Sequence, residues 1–183
     1  MNPEDVVLLY LVGHGIAPLG EEMFYFVPAD GHDIDIGHSG LDTAILAEAL
    51  RNMPARRIVL LIDACQSGGA VEALAKIGEI KATVEQRRQS LGQNQGFSPE
   101  TGVGVHIVAA TLPLQYGVQV RSDRSALVAA LLDLLTRNSG RKTVIQLIRD
   151  LQVLLPDLSA KTVGYRQVPL TDSVGVDFAI SAN

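Results

Sequence analysis

The sequence predicts an α/β sandwich built around a mostly parallel central sheet. Three continuous apolar runs, Val6 to Val12, Arg57 to Ile62 and Val105 to Ala110, are rich in Val, Ile and Leu. Strands covered on both faces have that composition. Stretches with apolar residues at helical spacing separate and follow these runs. Strands alternating with helices in this way specify a sheet packed between helices.

Leu41, Ile45, Leu46, Ala49 and Leu50 form one apolar stripe that stops before Pro54, which predicts a crossover helix between the first two strands. A second helix is expected from Ala70 to about Arg88. Ala126-Leu127, Ala130-Leu131 and Leu134-Leu135 repeat at the spacing of a third. Thr143 is placed to cap a fourth helix, expected to end near Pro156. The stretch from Val163 to Ile180, with strand-forming residues around Pro169, predicts an added edge strand.

At 183 residues the chain is expected to form one domain, residues 1–183. Residues 1–90 make one half and 105–183 the other. Residues 91–104, with four glycines, a proline and several polar side chains, are expected to be an exposed loop between them. Hydrophobic residues make up 47% of the chain and charged residues 19%, which argues against disorder. A net charge of -5 gives no basic footprint for nucleic acid. No apolar run approaches the roughly 20 residues of a membrane span, so no membrane partner is expected. The N-terminal residues lack the basic and apolar regions of a signal peptide. The lone Cys excludes an internal disulfide. A reducing, cytoplasmic setting is expected.

Two short segments carry the chemistry, Val12-Gly13-His14-Gly15 and Asp63-Ala64-Cys65-Gln66-Ser67-Gly68-Gly69, each ending an apolar strand run. Parallel strands joined by a crossover helix place both segments at the carboxyl edge of the sheet, where open α/β folds bind ligands. Adjacent strands lie about 4.8 Å apart, so His14 and Cys65 are expected to face each other. A thiol needs a base to become a nucleophile, and His14 is placed to act as one. Cys65 is expected near the N-terminus of the following helix, a position that favours a thiolate. Backbone N–H groups near Gly15 and Cys65 are candidate oxyanion donors. Asp63 points to the same side as Cys65 if strand geometry persists. A carboxylate there opposes a thiolate unless it serves a cationic substrate; capping the following helix is the structural alternative.

These residues resemble the caspase, metacaspase and paracaspase superfamily of cysteine peptidases, especially its bacterial members. Gly13-His14-Gly15 matches the histidine loop and Asp63-Ala64-Cys65-Gln66-Ser67-Gly68 the nucleophile loop, with the acidic residue typical of metacaspases. The 51-residue interval from His14 to Cys65 fits the caspase signature, whose His lies about 50 residues upstream of its Cys. Phe26-Val27-Pro28-Ala29-Asp30, Val105 to Thr111, Gln167-Val168-Pro169 and Asp177-Phe178 are similar to later parts of the domain. The resemblance implies a three-layer α/β/α sandwich and a thiol endopeptidase acting on polypeptides. It implies His14 and Cys65 as the dyad, Gly15 and Cys65 as oxyanion donors, and Asp63 in the pocket for the residue before the cleaved bond. That pocket prefers Arg or Lys. No cofactor is expected; calcium enters only by analogy with metacaspases, and no residue here marks its site.

Family domains usually place a strand, a helix and a second strand ahead of the histidine-bearing strand. Here that strand begins within the first ten residues, so the domain is expected to be N-terminally truncated, with a free sheet edge open to self-association. An inactive scaffold or interaction module of the same fold is the alternative function. A serine hydrolase using Ser67 is disfavoured, because Cys65-Gln66-Ser67-Gly68-Gly69 departs from Gly-x-Ser-x-Gly and such enzymes place their His after the Ser. Gly31-His32-Asp33-Ile34-Asp35-Ile36-Gly37-His38 holds ligand-type residues, but its spacing fits no standard metal motif. His106, inside an apolar run, is expected to be structural.

Overall fold

The computed structural model describes residues 1–18, 23–30, 36–90, 102–137 and 142–180. In chain order its elements are β1 (Val6–Val12), β2 (His14–Ile16), β3 (Tyr25–Val27), α1 (Ile36–Ser39), β4 (Leu41–Asp42), α2 (Thr43–Asn52) and β5 (Arg57–Asp63). They continue with α3 (Gly68–Ser90), β6 (Gly104–Ala109), β7 (Gln119–Arg121), β8 (Arg124–Ser125), α4 (Ala126–Arg137), α5 (Val144–Val163) and β9 (Leu170–Gly175). The main sheet runs β1-β5-β6-β9. The first three strands are parallel, and β9 closes the far edge antiparallel to β6. This is the mostly parallel sheet that the sequence predicts, and β9 is the added edge strand.

Alternation along β5 divides the core into two layers. Ile58, Leu60 and Ile62 face one cluster with Leu46 and Leu50 of α2 and Leu74 and Ile77 of α3. Val59 and Leu61 face the other, with Leu127 and Ala130 of α4 and Leu147, Leu151 and Leu155 of α5. Helices therefore cover both faces, giving a three-layer α/β/α sandwich. Side chains two apart on one strand point the same way, so a single apolar run serves both layers.

β1 departs from expectation. Val7, Leu9 and Leu11 pack on the first cluster, but Val6, Leu8, Tyr10 and Val12 are exposed, Leu8 by 61%. The second cluster takes residues from β5 and β6 and none from β1. α4 and α5 thus cover the middle of the sheet and leave one face of this edge strand open. A continuous apolar run predicts burial on both faces only where a neighbour lies on both sides.

α2 begins where Asp42 accepts a hydrogen bond from the Ile45 N–H at 2.7 Å. Thr143 caps α5 as expected, with a reciprocal bond from its own N–H to Gln146. α5 does not end near Pro156. It runs through that residue to Val163 and stops at Gly164, which is left-handed with φ 71°. An internal proline removes one helical hydrogen bond and costs about 3 kcal/mol. The buried stripe Leu147, Leu151, Leu155 and Ser159 continues past it, so packing outweighs the lost bond. α3, at Gly68–Ser90, begins two residues earlier than expected. Most of the expected 91–104 loop, and residues 31–35 of the acidic and histidine-rich segment, lie outside the described residues.

Candidate active site

The parallel register pairs Val12 with Asp63, so β1 and β5 end side by side. Beyond that point the Gly13 N–H donates to the Asp63 carbonyl at 3.3 Å. The chain then turns into β2, which carries His14 and pairs with β3 in a small antiparallel sheet, His14 opposite Val27. His14 is exposed at the start of this strand. Cys65 sits in the turn between β5 and α3 and is partly buried.

Gly15 marks how closely the two segments approach. A Cβ there would stand 2.6 Å from the Cys65 carbonyl oxygen and 2.5 Å from the Phe24 ring. No larger residue fits between them without moving backbone. The histidine strand therefore lies against the cysteine turn, as the sequence predicts. Among the described residues no hydrogen bond joins His14 to Cys65. Unliganded sites commonly have long catalytic contacts that tighten around substrate.

Gln66 supplies a contact that the sequence did not reveal. Its Oε1 accepts from the Ala17 N–H at 2.7 Å, and its own N–H donates to the Gln115 carbonyl at 2.8 Å. It holds φ 57°, the left-handed conformation that non-glycine residues rarely adopt. These bonds tie the residue after Cys65 to the segment after His14 and to the loop beyond β6. Gln115 is fastened in turn: its Oε1 accepts from Val168 N–H and its Nε2 donates to the Arg166 carbonyl. Gln167, wholly buried, accepts from Val118 N–H and donates to the Ala110 carbonyl. That is the physical use of the Gln167-Val168-Pro169 segment.

Ser67 is wholly buried and not available as a nucleophile. Its Oγ lies 3.1 Å from Thr111 Oγ1, and it accepts from the Thr111 N–H at 3.2 Å. Thr111 also donates to the Ala64 carbonyl and accepts from Ser67 N–H. The Ser-Gly pair after Cys65 anchors the cysteine turn to the end of β6. His106 is equally structural: it is buried, its Nε2 lies 3.1 Å from the Val176 carbonyl, and its ring packs near Phe178.

Asp63 ends β5 at 6% exposure. It accepts from the Tyr10 hydroxyl at 2.8 Å and from Ser125 Oγ at 2.5 Å. It does not cap α3, so the helix-capping alternative is set aside. Burial pushes its carboxyl above the ordinary range, against the opposing pull of the Ser125 and Tyr10 hydrogen bonds. Although Tyr10 as a whole is exposed, desolvation of its hydroxyl and then the Asp63 carboxylate raise the phenol. A carboxyl raised in the folded state penalises folding above its folded pKa, and the penalty fades as pH falls toward the unfolded value. Asp63→Asn is therefore expected to melt above wild type at neutral pH. The gap should close as pH falls through the raised Asp63 pKa, and melting curves from pH 4 to 8 check it; a gap constant across that range contradicts the sign.

Among the described residues no group of three or more His, Cys, Asp or Glu side chains gathers to hold a metal ion. No helix among them is long and apolar enough to cross a membrane.

The fold and these motifs define an α/β/α sandwich with a histidine strand and a cysteine turn at one sheet edge. A family model described as the caspase domain matches residues 1–178. The chain belongs to that family, within the caspase-like cysteine peptidase superfamily. No curated protein matches the chain. Among solved structures it is similar to the crystal structure of protein GSU0716 from Geobacter sulfurreducens. The two share 12% identity at a TM-score of 0.48, over 95% of this chain and 67% of that one.

Proposed function

We propose that the protein is a cysteine endopeptidase that uses His14 and Cys65 and cleaves after Arg or Lys. The observation that carries this reading is the close approach of Gly15 to the Cys65 backbone. It sets the histidine-bearing strand against the nucleophile turn in a caspase-domain chain. Cys65 Sγ attacks the scissile carbonyl carbon and its proton passes to His14. Backbone N–H groups of Gly15 and Cys65 receive the oxyanion. Collapse of the tetrahedral adduct breaks the C–N bond, and His14 protonates the leaving amine. Water then attacks the thioester while His14 takes its proton; the C–S bond breaks and the thiol is restored. Asp63 receives the cationic side chain before the scissile bond, an acceptor for guanidinium or ammonium.

The test is turnover of a fluorogenic peptide panel varied at the residue before the scissile bond, with and without iodoacetamide. Cleavage after Arg or Lys that iodoacetamide blocks is the expected result. Cleavage only after Asp would overturn the role of Asp63. Absence of cleavage in folded protein would favour a non-catalytic interaction module, the reading that the exposed residues of β1 support.

A further inference from the structure

The environment of Asp63 contains more than the proposed pocket needs. Tyr10 and Ser125 come from β1 and β8, remote in sequence from each other and from β5. Both hydroxyls converge on one oxygen, Asp63 Oδ2, at 2.8 and 2.5 Å. Asp63 Oδ1 takes no hydrogen bond from the described residues. Ser125 is itself held: its Oγ accepts from the Val128 N–H at 3.1 Å, in the first turn of α4. That bond occupies a lone pair and leaves its proton for the carboxylate. Tyr10 stands opposite Leu61 in the β1–β5 register, so its side chain crosses toward the end of the neighbouring strand to reach Asp63.

We propose that Tyr10 and Ser125 are specificity-determining residues: by occupying Asp63 Oδ2 they leave one oxygen to the substrate and so narrow the advantage of arginine over lysine. This rests on Asp63 being the pocket acid. A guanidinium gains over an ammonium chiefly by making two parallel hydrogen bonds to both oxygens of a carboxylate. With Oδ2 engaged twice and the carboxylate fixed, that fork has one acceptor. An ammonium needs only one. Two hydroxyls on one oxygen also stop the carboxylate from turning to present both.

The experiment measures kcat and KM for matched Arg and Lys peptides in wild type, Tyr10→Phe, Ser125→Ala, the double variant and Asp63→Asn. Each hydroxyl deletion removes one oxygen atom, and melting curves identify any variant that has lost its fold. Calorimetric binding of benzamidine and benzylamine, an amidinium and an ammonium probe, repeats the comparison without turnover. The expected result is an Arg-to-Lys ratio of kcat/KM near unity in wild type, rising about tenfold in the double variant, carried by KM. The benzamidine-to-benzylamine affinity ratio rises with it. A ratio unchanged in the double variant, while Asp63→Asn abolishes the preference for cations, would overturn the inference and leave the pocket reading standing. A cation preference that survives Asp63→Asn, or wild type that binds neither probe and cleaves neither peptide, would overturn both.

Discussion

Cys65→Ala is expected to lower kcat/KM for Arg or Lys peptides by about 10⁴-fold or more. The substitution removes the atom proposed to form the thioester, and no second nucleophile is placed to replace it. Ser67, the nearest hydroxyl in sequence, is wholly buried and bonded to Thr111. The fold should scarcely respond, because Cys65 is only partly buried and makes no disulfide. Its turn is held by neighbours that the substitution leaves in place: Gln66 on Ala17 and Gln115, and Ser67 on Thr111. Steady-state kinetics beside a melting curve separate these effects. Unchanged turnover with an unchanged melt would remove Cys65 from the mechanism.

The largest stability effect is expected at Gly175. It ends β9 with φ +87°, opposite Gly104 on β6. A Cβ there would fall well inside contact distance of the Val103 carbonyl oxygen, and 2.9 Å from its carbon. That carbonyl also accepts the Val176 N–H at 2.9 Å, so moving it aside breaks a second contact. The left-handed backbone alone costs a non-glycine residue about 1–2 kcal/mol. The collision with backbone, which cannot rotate away as a side chain can, brings the expected loss for Gly175→Ala to about 4 kcal/mol. In a chain of this size that is roughly 10 °C in melting temperature. Gly164→Ala is the control. It has φ +71° with nothing within 4 Å of its Cβ, so it should lose only the conformational part, about 1 kcal/mol. Similar melts for the two variants would show that the β6–β9 junction yields.

The sequence made local features legible. β5 and β6 follow from their runs rich in Val, Ile and Leu, α2 and α4 from stripes at helical spacing, and the start of α5 from Thr143. That β1 and β5 end side by side, with the strand after one against the turn after the other, was also legible, because a parallel pairing leaves two strand ends little freedom. What failed depended on which neighbour lies beside a strand. The run Val6 to Val12 reads like Arg57 to Ile62, yet among the described residues only the latter has a strand on each flank. Pro156 reads as a stop because sequence displays the lost hydrogen bond and hides the buried face that carries the helix past it. The polar contacts of the site join residues tens of positions apart: Tyr10 and Ser125 to Asp63, Gln66 to Ala17, Thr111 to Ser67. A Tyr within an apolar strand and a Thr just past another were the visible signs, but neither names its partner.

The position of β1 at the sheet edge separates the two halves of the proposed dyad in a further respect. Cys65 follows β5, which is paired on both sides, and its turn is pinned through Ser67 and Thr111 to β6. His14 follows β1, which among the described residues is paired on one side and covered on one face. Proteins open first where few contacts must be broken, long before they unfold as a whole. The proposed nucleophile is therefore expected in a slower-opening part of the molecule than its proposed base. Hydrogen exchange faster along β1 than along β5 is the expected result, and equal protection of the two strands would contradict it.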